Sequence, residues 1–290
     1  MSASDAPFRS PRRASLAVSA RWLALLVALT WGLLPPNAQA APRSRRTAAE
    51  RRDAFVIGSS SVGQSLGRVI ARELEERGYQ VSRKGVSSAG LSRPDHRDMQ
   101  KLIEGLPISR RTAAVFVYLG VNDAQAMWLR PRERGPSGRE YLPWSDERWS
   151  SLYTERARQL VERICQRGAQ RAFVVLPVDV DRERLQRRLQ RIRKLQARAV
   201  ARTSCGVALS TTGDEKSFAN ADVPLRRRDG FHLTPEGAEV VWERIGAKAI
   251  GALRQRRRAA AAPAASAGAG SERRAELDAL VARMLGEADD

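Results

Sequence analysis

Seven consecutive apolar residues, Ala113 to Leu119, run straight into Gly120-Val121-Asn122-Asp123. A run this short and uniformly apolar predicts a buried strand, ended by a turn. Similar runs stand at residues 54–58, 171–178 and 206–210, and residues 80–84 can form a further strand. Between them, apolar residues recur at helical spacing: Val62, Leu66, Val69, Ile70 and Leu74, stopped by Gly78, then a short set at Met99, Leu102 and Ile103, then residues 152–165 and 182–203. Thr234 and Pro235 supply an N-cap and a first turn for a last helix. Strands that alternate with helices predict a parallel sheet covered on both faces.

The ends of the chain have a different character. Arg9, Arg12, Arg13 and Arg21 precede an apolar stretch over 22–34, and Ala38-Gln39-Ala40 follows. That order is the pattern of a secretory signal peptide over 1–40. The apolar stretch is shorter than the roughly 20 residues a membrane span needs, which favours cleavage and a periplasmic or secreted protein over an uncleaved membrane anchor. Residues 41–52 read as a leader into a domain over 53–256. Beyond it come an Ala/Pro/Gly/Ser linker over 257–271 and a tail over 272–290, where Leu277, Leu280, Val281 and Leu285 have the spacing of a short helix.

The formal charge is +19, and +16 once residues 1–40, with four arginines and one aspartate, are removed. An exported protein this basic suits anionic envelope polymers or lipid surfaces. No nucleic acid is expected, because aromatics are not interleaved with the basic residues. Two cysteines, Cys165 and Cys205, exclude a cysteine-rich metal scaffold. Export permits a disulfide between them, and two buried thiols are the alternative.

The chemistry-bearing residues are few. Only two histidines occur, and His232 closes Asp229-Gly230-Phe231-His232. An imidazole base oriented by a carboxylate is what serine hydrolysis needs. His96 has no acid three residues before it and reads as a loop histidine. Serines cluster where the first strand ends, at Gly58-Ser59-Ser60-Ser61, and a helix cap is the structural alternative for Ser59 or Ser60. Gly90, in a Gly/Ser-rich loop, lets a backbone N–H approach a ligand closely. Asn122 follows the clearest strand and would emerge at the sheet's C-terminal edge, where open α/β sheets place their sites. Asp123 reads as a stabiliser of the next turn.

A serine at a strand end, a glycine, an asparagine in Gly120-Val121-Asn122-Asp123 and an Asp-x-x-His, in that order, resemble the blocks of the SGNH (GDSL-like) hydrolase superfamily. The stretch Gly90-Leu91-Ser92-Arg93-Pro94-Asp95 is similar to an exported, envelope-associated subgroup. The chain departs from the pattern at Ser59, where the family usually has aspartate. The resemblance implies a three-layer α/β/α, flavodoxin-like fold with a five-stranded parallel sheet ordered 2-1-3-4-5. It implies Ser60 as nucleophile, His232 as base and Asp229 as its orienting acid. An oxyanion hole would come from the Ser60 and Gly90 N–H groups and the Asn122 amide. No metal or organic cofactor is implied. The implied reaction is removal or transfer of acyl groups, acetyl above all, on an O-acylated glycan or peptidoglycan. A non-catalytic protein that binds envelope polymers on the same fold is the rival reading, motivated by Ser59 and the basic tail.

Residues 128–150 form a long irregular stretch, a type of segment that is often functional. Trp128, Tyr141, Trp144 and Trp149 lie within it and are expected to offer faces on which sugar rings stack.

Overall fold

A computed structural model describes residues 52–212 and 224–256. Five parallel strands form the central sheet: β1 (Arg52–Gly58), β2 (Tyr79–Gly85), β3 (Thr112–Tyr118), β6 (Ala172–Val175) and β7 (Gly206–Leu209), ordered β2-β1-β3-β6-β7. Counted along the chain, that is the expected 2-1-3-4-5. The expected signal peptide, the leader up to Arg51, the linker and the tail lie outside the described residues. No helix among the described residues is long and apolar enough to cross a membrane.

Alternation along each strand divides the core in two. Phe55, Ile57, Val115, Val117 and Val174 face one way, where α3 (Met99–Glu104), α4 (Arg148–Gln166) and α5 (Glu183–Val200) cover them. Ala54, Val56, Phe116, Phe173 and Val175 face the other way, beneath α2 (Ser65–Glu75) and α6 (235–256). The inner strands β1, β3 and β6 are therefore buried on both faces, which is why they read as continuous apolar runs, whereas the edge strand β2 is largely exposed. Thr234 caps α6, accepting the Gly237 N–H at 3.1 Å.

The structure departs from the sequence reading in two places that matter to the site. The helix expected to start at Val62 is broken at Gln64, giving a four-residue α1 (Ser60–Gly63) before α2. The irregular stretch contains a small antiparallel ribbon, β4 (Met127–Trp128) with β5 (Tyr141–Leu142), and α4 begins at Arg148, earlier than the expected residue 152. Cys165 and Cys205 form a disulfide, joining the end of α4 to the start of β7. Of the two alternatives for these cysteines, a pair of buried thiols is thus excluded.

Candidate active site

Three neighbouring strands deliver three candidate residues to one edge. In register, Gly58 of β1 pairs with Gly85 of β2 and Tyr118 of β3. Ser60, Gly90 and Asn122 follow these strand ends within a few residues. At Gly58 the chain turns sharply, with φ +156°, and a Cβ there would stand 2.1 Å from the Tyr118 carbonyl oxygen. Only glycine fits that approach. The next residue, Ser59, is buried, donates its N–H to Tyr118 O at 3.1 Å and makes no side-chain cap bond to the helix. Ser60 opens α1 and is half-buried.

The loop between β7 and α6 brings the base to this serine from 172 residues away in sequence. Ser60 Oγ and His232 Nε2 lie 2.8 Å apart, and His232 Nδ1 lies 2.8 Å from Asp229 Oδ2. The other carboxylate oxygen of Asp229 accepts the N–H groups of Phe231 at 3.0 Å and His232 at 2.9 Å. Burial works against the Asp229 charge. The two N–H groups and the adjoining His232 ring outweigh it, so the pKa falls from an ordinary 3.8 to about 2. Asp229 is thus ionised at any pH where an imidazole can act as a base. The arrangement can hold one ring tautomer and remove a proton from Ser60 Oγ.

Gly90 and Asn122 are also brought together. Asn122 Nδ2 donates to Ala89 O at 3.0 Å, which ties the asparagine to the Gly90 loop and leaves a second amide hydrogen for the cleft. A Cβ on Gly90 would stand 2.4 Å from Asp123 Oδ1, and 3.5 Å from the Asn122 Cβ. Asp123 is fully buried and accepts the Ser92 N–H at 2.8 Å and the Tyr153 hydroxyl at 2.9 Å. Burial pushes its pKa up to about 6, against the pull of those donors. The residue read as a stabiliser of the next turn therefore grips the Gly90–Ser92 loop, 31 residues earlier in sequence.

Arg156 went unnoticed in the sequence and does similar work. It is buried on α4 and donates to Leu91 O at 2.8 Å and Trp128 O at 2.7 Å, with Glu133 as its ion-pair partner. A lone arginine on a helix face otherwise occupied by Trp149, Tyr153, Ala157 and Leu160 was the available signal. His96 is exposed and lies in the loop, as expected. Among the described residues no group of three or more His, Cys, Asp and Glu is placed to hold a metal ion.

The four aromatics differ in what they present. Trp149 is fully buried, donates its indole N–H to Gln125 O at 3.0 Å and stacks on Tyr153. The expectation that it offers a face to substrate is corrected: it is the first core residue of α4. Trp144 is half-buried, packed on Trp149 with ring centroids 4.2 Å apart, and Arg188 and Arg191 lie over its ring. Trp128 is half-buried beneath Arg134. Tyr141, at 44% exposure, is the one large exposed hydrophobic among the described residues, and Arg93 lies over it.

A family model described as "Protein of unknown function (DUF459)" matches residues 53–248. No curated protein matches the chain. Among solved structures, it is similar to a catalytic mutant of Axe2, an acetylxylan esterase from Geobacillus stearothermophilus, at 14% identity over 67% of this chain and 94% of that one, with a TM-score of 0.45. It is similar to a member of the lipolytic G-D-S-L family from Veillonella parvula at 15% identity over 66% and 94%, TM-score 0.45. An acetyl esterase mutant solved with acetate matches at 12% identity over 70% and 99%, TM-score 0.49. These are likenesses of fold alone.

Proposed function

The chain belongs to the DUF459 family, and for this member we propose the activity of an exported SGNH-type serine esterase that removes or transfers acetyl or other short acyl groups on cell-envelope carbohydrate. One observation carries the reading: the hydrogen-bonded relay Ser60–His232–Asp229, at the edge of the sheet where Gly90 and Asn122 also converge.

In the proposed cycle, His232 takes the Ser60 proton as Oγ attacks the ester carbonyl, and returns it to the departing sugar hydroxyl. His232 then takes the proton of water, or of a second sugar hydroxyl, as that oxygen attacks the acyl-Ser60 carbonyl, and passes it to Ser60 Oγ as the acyl–serine bond breaks. The tetrahedral oxyanion is met by Asn122 Nδ2, the Gly90 N–H and the Ser60 N–H. The last is a helix-opening amide with no intrahelical acceptor. Asp229 keeps the ring oriented and stabilises the imidazolium. None of these steps calls for a metal or organic cofactor.

Trp128, Trp144 and the exposed Tyr141 are the candidates for sugar stacking. Export is supported by the signal-like order of residues 1–40 and by the disulfide between the only two cysteines, a bond at home in oxidising compartments. The test is a serine-directed phosphonate followed by peptide mass mapping, together with turnover of 4-nitrophenyl acetate. Label on Ser60 and turnover that Ser60→Ala abolishes support the proposal. An unlabelled, inactive protein defeats it in favour of the binding-protein reading.

A further inference from the structure

The helix α5 is strongly basic, with seven cations and one carboxylate in 18 residues. Its outer side and the first turn of α4 enclose a groove of about 360 Å³ lined by Ser150, Arg187, Gln190, Arg191, Lys194 and Arg198. Lys194 and Arg198 are exposed, and neither has an ion-pair partner among the described residues. Arg191 is held in place: its guanidinium donates to Ser150 Oγ at 2.7 and 2.9 Å and to Trp144 O at 3.1 Å. Like charges three and four residues apart weaken a helix. Positions 191, 194 and 198 have that spacing, and Arg187, one turn earlier, is already paired with Glu183, so the cations at 191, 194 and 198 accumulate repulsion that an anionic ligand would relieve.

The groove is connected to the catalytic edge by a chain of contacts. Arg188 donates to the carbonyl of Ala124, two residues past Asn122. Arg188 and Arg191 lie 5.1 and 4.9 Å from the Trp144 ring. Just before α5, Arg182 lies 5.8 Å from the Phe231 ring, which is itself 4.5 Å from the ring of His232. The helix therefore starts beside the catalytic loop and carries its basic face away from it.

We propose that this groove is a subsite for an acidic polysaccharide, whose carboxylate or phosphate groups sit along α5 while an ester-bearing sugar lies at Ser60. The subsite's link to catalysis rests on the esterase reading. A polymer with repeated oxyanions matches a line of cations, and Ser150 and Gln190 add hydrogen-bonding groups for hydroxyls. A bilayer fits less well, because membrane-surface helices pair their basic face with an apolar one that inserts, and the single exposed large hydrophobic among the described residues is Tyr141. Single-stranded nucleic acid calls for aromatic platforms along the groove, and its lining has none.

The test compares the full chain with Lys194→Glu/Arg198→Glu, after thermal melting has shown that both fold. Partially O-acetylated polygalacturonate and neutral acetylxylan serve as substrates, and non-acetylated polygalacturonate as a binding probe in calorimetry. The expected result is a roughly tenfold fall in kcat/KM on the acidic relative to the neutral polymer, since two attractions become repulsions. Polygalacturonate binding should weaken with the same substitutions and with added salt. Equal effects on both polymers, or unchanged polygalacturonate affinity, would overturn the proposal. Charge-dependent binding to phosphatidylglycerol vesicles or oligo-dT without binding to polygalacturonate would also overturn it, in favour of a membrane or nucleic-acid face. Charge-dependent polygalacturonate binding with no ester turned over would uphold the groove and sink the esterase reading.

Discussion

Three adjacent serines occupy the strand end, and the fold treats each differently. Ser59 and Ser61 are buried, while Ser60 Oγ meets the only imidazole in the region. Ser60→Ala is therefore expected to lower kcat on 4-nitrophenyl acetate by about 10,000-fold or more, and Ser59→Ala to leave most of it. Comparable losses in both variants would remove the assignment. Asn122→Ala should cost about 100- to 1,000-fold in kcat with little change in KM, because in the proposed cycle its amide meets charge that develops only in the transition state. These residues were legible because each sits where a strand ends, and strand ends can be read from apolar runs. The carboxylate beside Asn122 was not: adjacency in sequence says nothing about a loop 31 residues away, and it is that loop which buries Asp123.

At the level of elements, the misread part was the segment between β3 and α4. Starting α4 at residue 152 left Trp149 in an apparent loop, where an indole reads as a ligand platform. With the helix beginning at Arg148, Trp149 joins Tyr153, Ala157 and Leu160 on one buried face. Trp149→Ala should thus destabilise the fold by about 3–5 kcal/mol, seen in urea unfolding, and lower the use of small and polymeric esters alike. A polymer-specific loss with unchanged stability would reinstate it as a binding residue. Asp123 ties the same segment to the Gly90 loop, at a cost that depends on pH. Its folded pKa, about 6, lies above the ordinary 3.8, so between those values the folded state holds more protons than the unfolded one. Stability from this group is full below about pH 4 and falls as pH rises through 6, by on the order of 2–3 kcal/mol. Asp123→Asn should flatten that part of the stability profile; an unchanged slope would place the titration elsewhere.

For the molecule as a whole, the layering was legible from strands that alternate with helices, whereas the order of the sheet came from the resemblance of the Ser60, Gly90, Asn122 and Asp229–His232 blocks to a known family. The pairing of Cys165 with Cys205 was legible only as one of two alternatives, since the sequence allows a disulfide or two buried thiols; the structure joins the end of α4 to the start of β7. The bond closes a segment with a sequence separation of 40 that contains β6 and α5, the helix bearing the basic groove. Constraining a loop of that length in the unfolded chain is worth about 4 kcal/mol in the chain-entropy account. For a domain of this size, the dithiol should then melt roughly 10 °C lower than the disulfide form. The comparison links stability to compartment. Protein recovered from an oxidising periplasm with residues 1–40 removed should show no titratable thiol and the higher midpoint. The same domain made without residues 1–40 in a reducing cytosol should show two thiols and the lower one. A midpoint unaffected by reduction would mean that the two core faces hold β7 in place unaided, and a full-length species found in the membrane would replace the exported reading with an anchored one.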